Sequence, residues 1–452
     1  CYNHAGMLKS RYAFPIAALT LAVLTLLIVS VAVVAVIRAL PGRYAYYLPE
    51  PLQRVRHRSH PDSLPTPRSV AAAALDRGTA TLAPTATVVG QPTADHPVTE
   101  EQTPRSTPTL RPATATASPE PSPTVTPSPT PTPVPSVTLA GLRHEHQGWN
   151  NCGPATVAML LSYWGSQATQ QDAAPALKPD PDDKNVSPGE MTSYVRDLGY
   201  AVIGVGGDLE RLKELLRAGF PVIVETWYVR DARDQLGHYR LVVGYDDPSQ
   251  QFLTYDSLHG PDVPIGYREL DELWRVFNRV HLVVYTPDRW GALSEILGPD
   301  LEDEVMYERA LDVARSEAAS PPTECVAYAD CADWVTFSWF NVGSALNALG
   351  RHQEAVAAYD KARQLELHYR MLWYQFGPYE SYYETGRYED VIALADATLA
   401  TANNLEESYY WRGKAYLALG NAAKARSDFR SALRNHEGWG PALEALNSLE
   451  GS

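Results

Sequence analysis

Residues 13–37 form an apolar run of 25 consecutive positions without a charge. About 20 apolar residues suffice for a helix to cross the hydrocarbon core, so the run predicts one transmembrane helix behind a tail at residues 1–12. A cleaved signal peptide would have a shorter apolar region, ~7–15 residues, and Arg38 follows this one directly. Met7 is the nearby start candidate, so residues 1–6 carry no structural expectation. Hydrophobic periodicity then vanishes over residues 38–138. It returns at Leu139 with helical patterns at 188–198 and 208–218, followed by strand patterns at 220–229, 237–247 and 251–257. A short helix near 269–276 and a last strand at 279–287 complete this stretch. Helices first and mostly consecutive strands afterwards predict an α+β domain with an antiparallel sheet over residues 139–290. From 300 to 450 the pattern is helical throughout.

Composition explains the silent stretch. Residues 61–137 hold 17 of the chain's 36 prolines, and threonine is nearly as frequent. Proline removes amide donors and fixes its own backbone angle, so this tract predicts a disordered, extended stalk. A Ser/Thr/Pro-rich tract after a single membrane helix points to an extracellular body. Arginines 38, 43, 54, 56 and 58, against Lys9 and Arg11 before the helix, point the other way. The outward orientation is the expectation carried forward. With 38 Lys+Arg against 53 Asp+Glu the net charge is −15, which argues against a nucleic-acid partner. Four cysteines in 452 residues exclude a disulfide scaffold. Cys325 and Cys331 could bond only across a loop, since on one helix they would lie too far apart.

The chemistry concentrates in residues 144–165. Cys152 precedes Gly153, Pro154 and an apolar run that ends at Gly165. Proline at a first helical turn and glycine past the end place Cys152 at a helix N-terminus. There the dipole and free amides are expected to favour thiolate. Gln147, five residues upstream, can offer an amide to a developing oxyanion. His238 starts the strand at 237–247, and an antiparallel neighbour ending in Asp256 would bring that carboxylate back to it. Nucleophile, base and orienter suit acyl transfer through a thioester. Asp246 and Asp247 are rival orienters. Residues 178–191 read as a solvated polar loop with a helix start at Ser187, and no metal or cofactor is expected.

The stretch Gln147…Asn151-Cys152-Gly153-Pro154-Ala155, with Gly237-His238-Tyr239 and Asp256, resembles the papain-like double-glycine peptidases, in their stand-alone C-39-like branch. The likeness spans roughly residues 140–287. It implies a papain-like fold, with Cys152 as nucleophile, His238 as base then acid, Asp256 as orienter and Gln147 in the oxyanion hole. The best-known members cleave leader peptides and are fused to ABC transporters. This chain lacks a phosphate-loop motif and has one predicted membrane helix, so that specificity is not carried over.

Glycines 350, 386 and 420 recur 36 and 34 residues apart, each between two helical patterns. Gly343, Ala355 and Tyr359 recur as Gly413, Ala425 and Phe429, which resembles tetratricopeptide repeats. The middle copy departs, with Val391 and Ala395 at the small and aromatic positions. Residues 301–318 and 440–449 are expected as flanking helices.

The sequence thus predicts a membrane-anchored cysteine peptidase with a repeat domain that recruits a peptide substrate or a protein partner. Two alternatives stand beside it: a non-catalytic surface adaptor with a vestigial peptidase domain, and a thiol acyltransferase using the same residues. The retained Gln147, Cys152, His238 and Asp256 favour an enzyme over the adaptor.

Overall fold

The computed structural model describes residues 23–36, 63–67, 134–231, 234–328 and 331–451. Residues 23–36 are helical and their side chains are almost all exposed. No described helix is long and apolar enough to cross a membrane. The remainder of the predicted span, at 13–22 and 37, lies outside the described residues, as does most of the predicted stalk.

Seven antiparallel strands form one sheet. In chain order they are β1 (Ser136–Thr138), β2 (Ala201–Gly206), β3 (Val222–Asp231), β4 (Asp234–Asp246), β5 (Gln251–Asp256), β6 (Gly260–Gly266) and β7 (Val280–Tyr285). Their spatial order is β2-β7-β3-β4-β5-β6. Strand β4 outruns β3, and β1 pairs with its far end at residues 244–246. Periodicity had not revealed β1, β2 and β6. They are short, β2 carries two glycines, and β6 contains two prolines, so none shows a clean alternation.

Helix α1 (Cys152–Tyr163) is buried over Gly153–Leu161. Its apolar residues pack with Ile223, Tyr239, Leu241 and Val243 of β3 and β4, together with α2 (Gln170–Leu177) and α3 (Pro188–Asp197). The alternate residues Val222, Val224 and Val242 join a second core containing α4 (Leu209–Arg217) and α5 (Tyr267–Trp274). Strands buried on both faces read as nearly continuous apolar runs, which is how 220–229 and 241–245 appear in the sequence.

After α6 (Trp290–Leu297), the chain runs through α7 (Asp303–Ala319), α8 (Ala332–Ala348), α9 (His352–Gln364), α10 (Gly377–Glu384), α11 (Tyr388–Thr401), α12 (Glu406–Ala418), α13 (Ala422–Asn435) and α14 (Gly440–Glu450). Gly350, Gly386 and Gly420 sit at the α8–α9, α10–α11 and α12–α13 turns with φ of 69°, 75° and 78°, a left-handed conformation that favours glycine. Gly343 and Gly413 have a different reason. A Cβ at either would lie 2.6 Å from the Tyr359 or Phe429 ring on the paired helix. The irregular middle copy reverses the sizes, since Ala395 is small and the buried Tyr379 reaches Thr398 with its hydroxyl at 3.0 Å. Gly413→Ala should therefore force a repacking of α12 on α13 and cost about 1–3 kcal/mol. A thermal melt should show the midpoint falling, and an unchanged midpoint would contradict this packing.

The array and the sheet domain share one core. Trp227 of β3 packs against Phe277, Phe337, His368 and Tyr374, with ring centroids 5.5–6.2 Å apart. Arg275, fully buried, reaches Glu317 at 2.9 Å and lies over the Trp334 ring at 3.7 Å. Cys325 and Cys331 form a disulfide in the loop before α8, so the loop condition on that bond is met. That loop is tied to α5 by Glu272, whose Oε2 accepts from the amides of Val326 and Ala327.

Two segments assigned to the stalk by composition are ordered. Besides β1, residues 63–67 lie on the array. The Leu64 amide donates to Leu367 O at 2.9 Å, Arg363 Nε donates to Pro65 O at 2.8 Å, and Leu64 is buried.

Candidate active site

The β4–β5 hairpin returns Asp256 to the middle of β4, because Leu241 pairs with Tyr255, and His238 lies there rather than at the strand's start, since β4 begins at Asp234. His238 Nε2 and Asp256 Oδ1 are 3.0 Å apart, and both residues are 1% exposed. Asp256 is held from several sides. Arg240 Nε donates to Oδ2 at 3.0 Å, and the amides of Leu258 and His259 donate to Oδ1 at 2.8 and 3.2 Å. Burial opposes ionisation, but these partners prevail, and the carboxyl lies well below the usual carboxylate range. Burial likewise pushes His238 down, with Asp256 opposing, so the imidazole is neutral near pH 7.

Cys152 is the first residue of α1 and half-buried. Its sulfur accepts from the amides of Tyr239, the residue after His238, and of Gly153. The expected thiolate preference is corrected here. Desolvation outweighs both amides, the Glu225 carboxyl adds to it, and the thiol is pushed up from its ordinary value despite the helix terminus and Lys178. Glu225 is itself buried, bonded to Tyr239 and raised to about 8. Glu225→Gln should consequently speed iodoacetamide labelling of Cys152 above pH 8, where the carboxylate forms, and change little at pH 7. Equal effects at both values would contradict this coupling.

Gln147 Oε1 accepts from Ser257 Oγ at 2.8 Å, and the Gln147 backbone N–H donates to Ser257 O at 2.9 Å. The residue after Asp256 thus fixes Gln147, with the NH2 end as the side chain's donor. The rival carboxylates are engaged elsewhere. Asp247 pairs with Lys213 at 2.8 Å and accepts from Tyr267, while Asp246 accepts from Ser249. Asp246 pairs with Gln251, at the opposite end of the hairpin from His238.

Four residues beside the expected set escaped sequence reasoning. Arg240 was legible in principle, two positions after His238 and so on the same side of the strand. Glu225 lies on β3, opposite Tyr239. Lys178 is buried, donates to Trp149 O and Pro181 O at 2.7 and 3.0 Å, and is lowered to about 8 by desolvation. Tyr374, from the array, takes the amide of Gly237 on its hydroxyl and feels the charge of Cys152. A Cβ on Gly237 would lie 3.1 Å from the Tyr374 ring. The reading of 178–191 as a solvated loop is corrected, because Lys178, Asp183, Asn185 and Val186 are buried beneath the array. Ser187 does start α3, in a capping box with Glu190.

Residues 139–281 match the Peptidase_C39 like family, and residues 338–366 and 406–435 match the tetratricopeptide repeat. None of the curated proteins compared matches the chain. Among solved structures, the peptidase domain of Streptococcus ComA, a bifunctional ABC transporter of a quorum-sensing pathway, is similar. That match has 16% identity, a TM-score of 0.27 and coverage of 32% of this chain and 98% of ComA's. MamA residues 41 to the end, from Desulfovibrio magneticus RS-1, match at 18% identity and TM-score 0.28, covering 36% of this chain and 83% of that one. A MamA RS-1 double mutant matches at 17% and 0.25, covering 32% and 84%.

Proposed function

We propose that this chain, a Peptidase C39-like domain followed by tetratricopeptide repeats, is a cysteine peptidase held at a membrane by residues 13–37, with its body outside. The observation that carries the reading is the buried His238–Asp256 bond, one residue from the amide that touches Cys152 at the start of α1. In this reading His238, a neutral imidazole, is the general base that takes the proton of the neutral Cys152 thiol during attack. The Cys152 sulfur then bonds the scissile carbonyl carbon, and the Gln147 NH2 donates to the oxyanion that forms. Collapse breaks the C–N bond as His238 returns the proton to the leaving amine. Water, deprotonated by His238, releases the acid from the thioester and regenerates the thiol.

Tyr374 supports a role for the array in holding substrate, since it brings a repeat-side ring to the residue before His238. The test of the function is digestion of a peptide library by the full chain, with and without prior alkylation of Cys152. Cleavage lost on alkylation is the expected result; cleavage that survives it overturns the reading. The disulfide and the stalk composition support the outward orientation, because such bonds persist in oxidising compartments. Protease shaving of intact cells should release the body, and release only after lysis would reverse the topology.

A further inference from the structure

Where the loop at 178–191 meets the array, acidic side chains converge with few counter-charges. Glu190 belongs to the first turn of α3, Glu406 begins α12, and His436 follows α13. One ligand-type atom from each lies within 4.8 Å of the other two. His436 Nδ1 and Glu406 Oε1 are already 2.8 Å apart. Glu190 is held by its own cap, since its Oε2 accepts from Ser187 N and Oγ at 2.7 and 2.9 Å. Asp183 and Glu407 adjoin this group, and Asn185 Nδ2 donates to Glu407 Oε1 at 3.4 Å. Next to Glu406 in the chain, Glu407 Oε2 is shut off from solvent and has no hydrogen-bond partner.

We propose that Glu190, Glu406 and His436 bind a divalent cation of the zinc–manganese class and so clamp the loop beside Cys152 to the array. An imidazole among carboxylates suits zinc or manganese better than calcium, which takes oxygen ligands throughout. Bonds of about 2.0–2.2 Å place tetrahedral ligands roughly 3.4 Å apart, so small side-chain rotations close the site. The cation replaces the proton shared by His436 and Glu406, which makes binding weaken as the pH falls.

The test uses the full chain carrying Cys152→Ser, so that no thiol competes for zinc, stripped with a chelator and titrated calorimetrically with Zn²⁺ or Mn²⁺ alone at pH 7. One equivalent should bind and raise the thermal midpoint. Glu406→Gln, which is nearly isosteric, should weaken binding by about tenfold or more, as should Glu190→Gln if His436→Ala does not fold. No saturable binding of either ion below about 1 mM, or binding unaffected by Glu406→Gln, would overturn the proposal. Neither outcome depends on whether the chain is a peptidase.

Discussion

Cys152→Ala is expected to abolish peptide cleavage, and His238→Ala to lower it by roughly 10²–10⁴-fold, with the fold unchanged in both. The ordering follows from what each group does. Without the sulfur no thioester forms and the route closes. Without the imidazole the thiol remains, but at pH 7 it holds its proton, because burial pushes it above its ordinary value. His238→Ala should therefore recover part of its activity as the pH rises toward the thiol's own range, while Cys152→Ala should not. Asp256→Asn should fall between His238→Ala and the parent, since the carboxylate orients the ring and does not take the proton. Full activity in Asp256→Asn with a crippled Asp247→Asn would contradict the site, because Asp247 is committed to Lys213.

Arg240→Met should destabilise the body by about 3–5 kcal/mol, because it takes one partner from a buried pair and leaves the other charge in place. Asp256 lies below the usual carboxylate range partly through Arg240. A depressed carboxyl contributes stability that is full above its unfolded value of about 3.9 and is lost as the pH falls through the folded value. Removing Arg240 raises the folded value, so this contribution shrinks and is exhausted at higher pH, and with less stability in reserve acid unfolding should move up. Arg240 also opposes protonation of His238. The acid limb of the activity profile should consequently shift to higher pH in Arg240→Met, which loss of stability alone would not produce. Arg240→Lys keeps the charge but not the planar fork, and should restore the acid limb more than the stability. Denaturant melts and a pH–rate profile read both effects. An unmoved limb would detach Arg240 from the site.

The local signals in the sequence were strong where one residue type served one geometric need. Pro154 after Cys152 marks a helix start, and Gly350, Gly386 and Gly420 mark left-handed turns, so α1 and the helix pairs were readable from the chain alone. The β4–β5 return was readable too, because two alternating runs with a short polar join pair in one way. What stayed hidden depends on contacts distant in sequence. The thiol's environment is set by Glu225, Lys178 and Tyr374, from a strand, a loop and the array, and no spacing rule joins them to Cys152. The loop at 178–191 looks solvated because it is polar. Its burial comes in part from α12 and the turn before it, more than 200 residues on, through Asn185–Glu407 and Asn404–Asp180. Composition likewise cannot show that Leu64 docks on the array.

The most direct test of the central claim is mass spectrometry of the full chain, quenched in acid during turnover of a peptide that it cleaves. An acyl adduct on Cys152 is predicted, released by hydroxylamine as a thioester is and absent from Cys152→Ala. In Asp256→Asn the adduct should form more slowly, because the base that assists both half-reactions is misaligned. Cleavage by the parent that proceeds with no adduct on Cys152, and equally well in Cys152→Ala, would contradict the account.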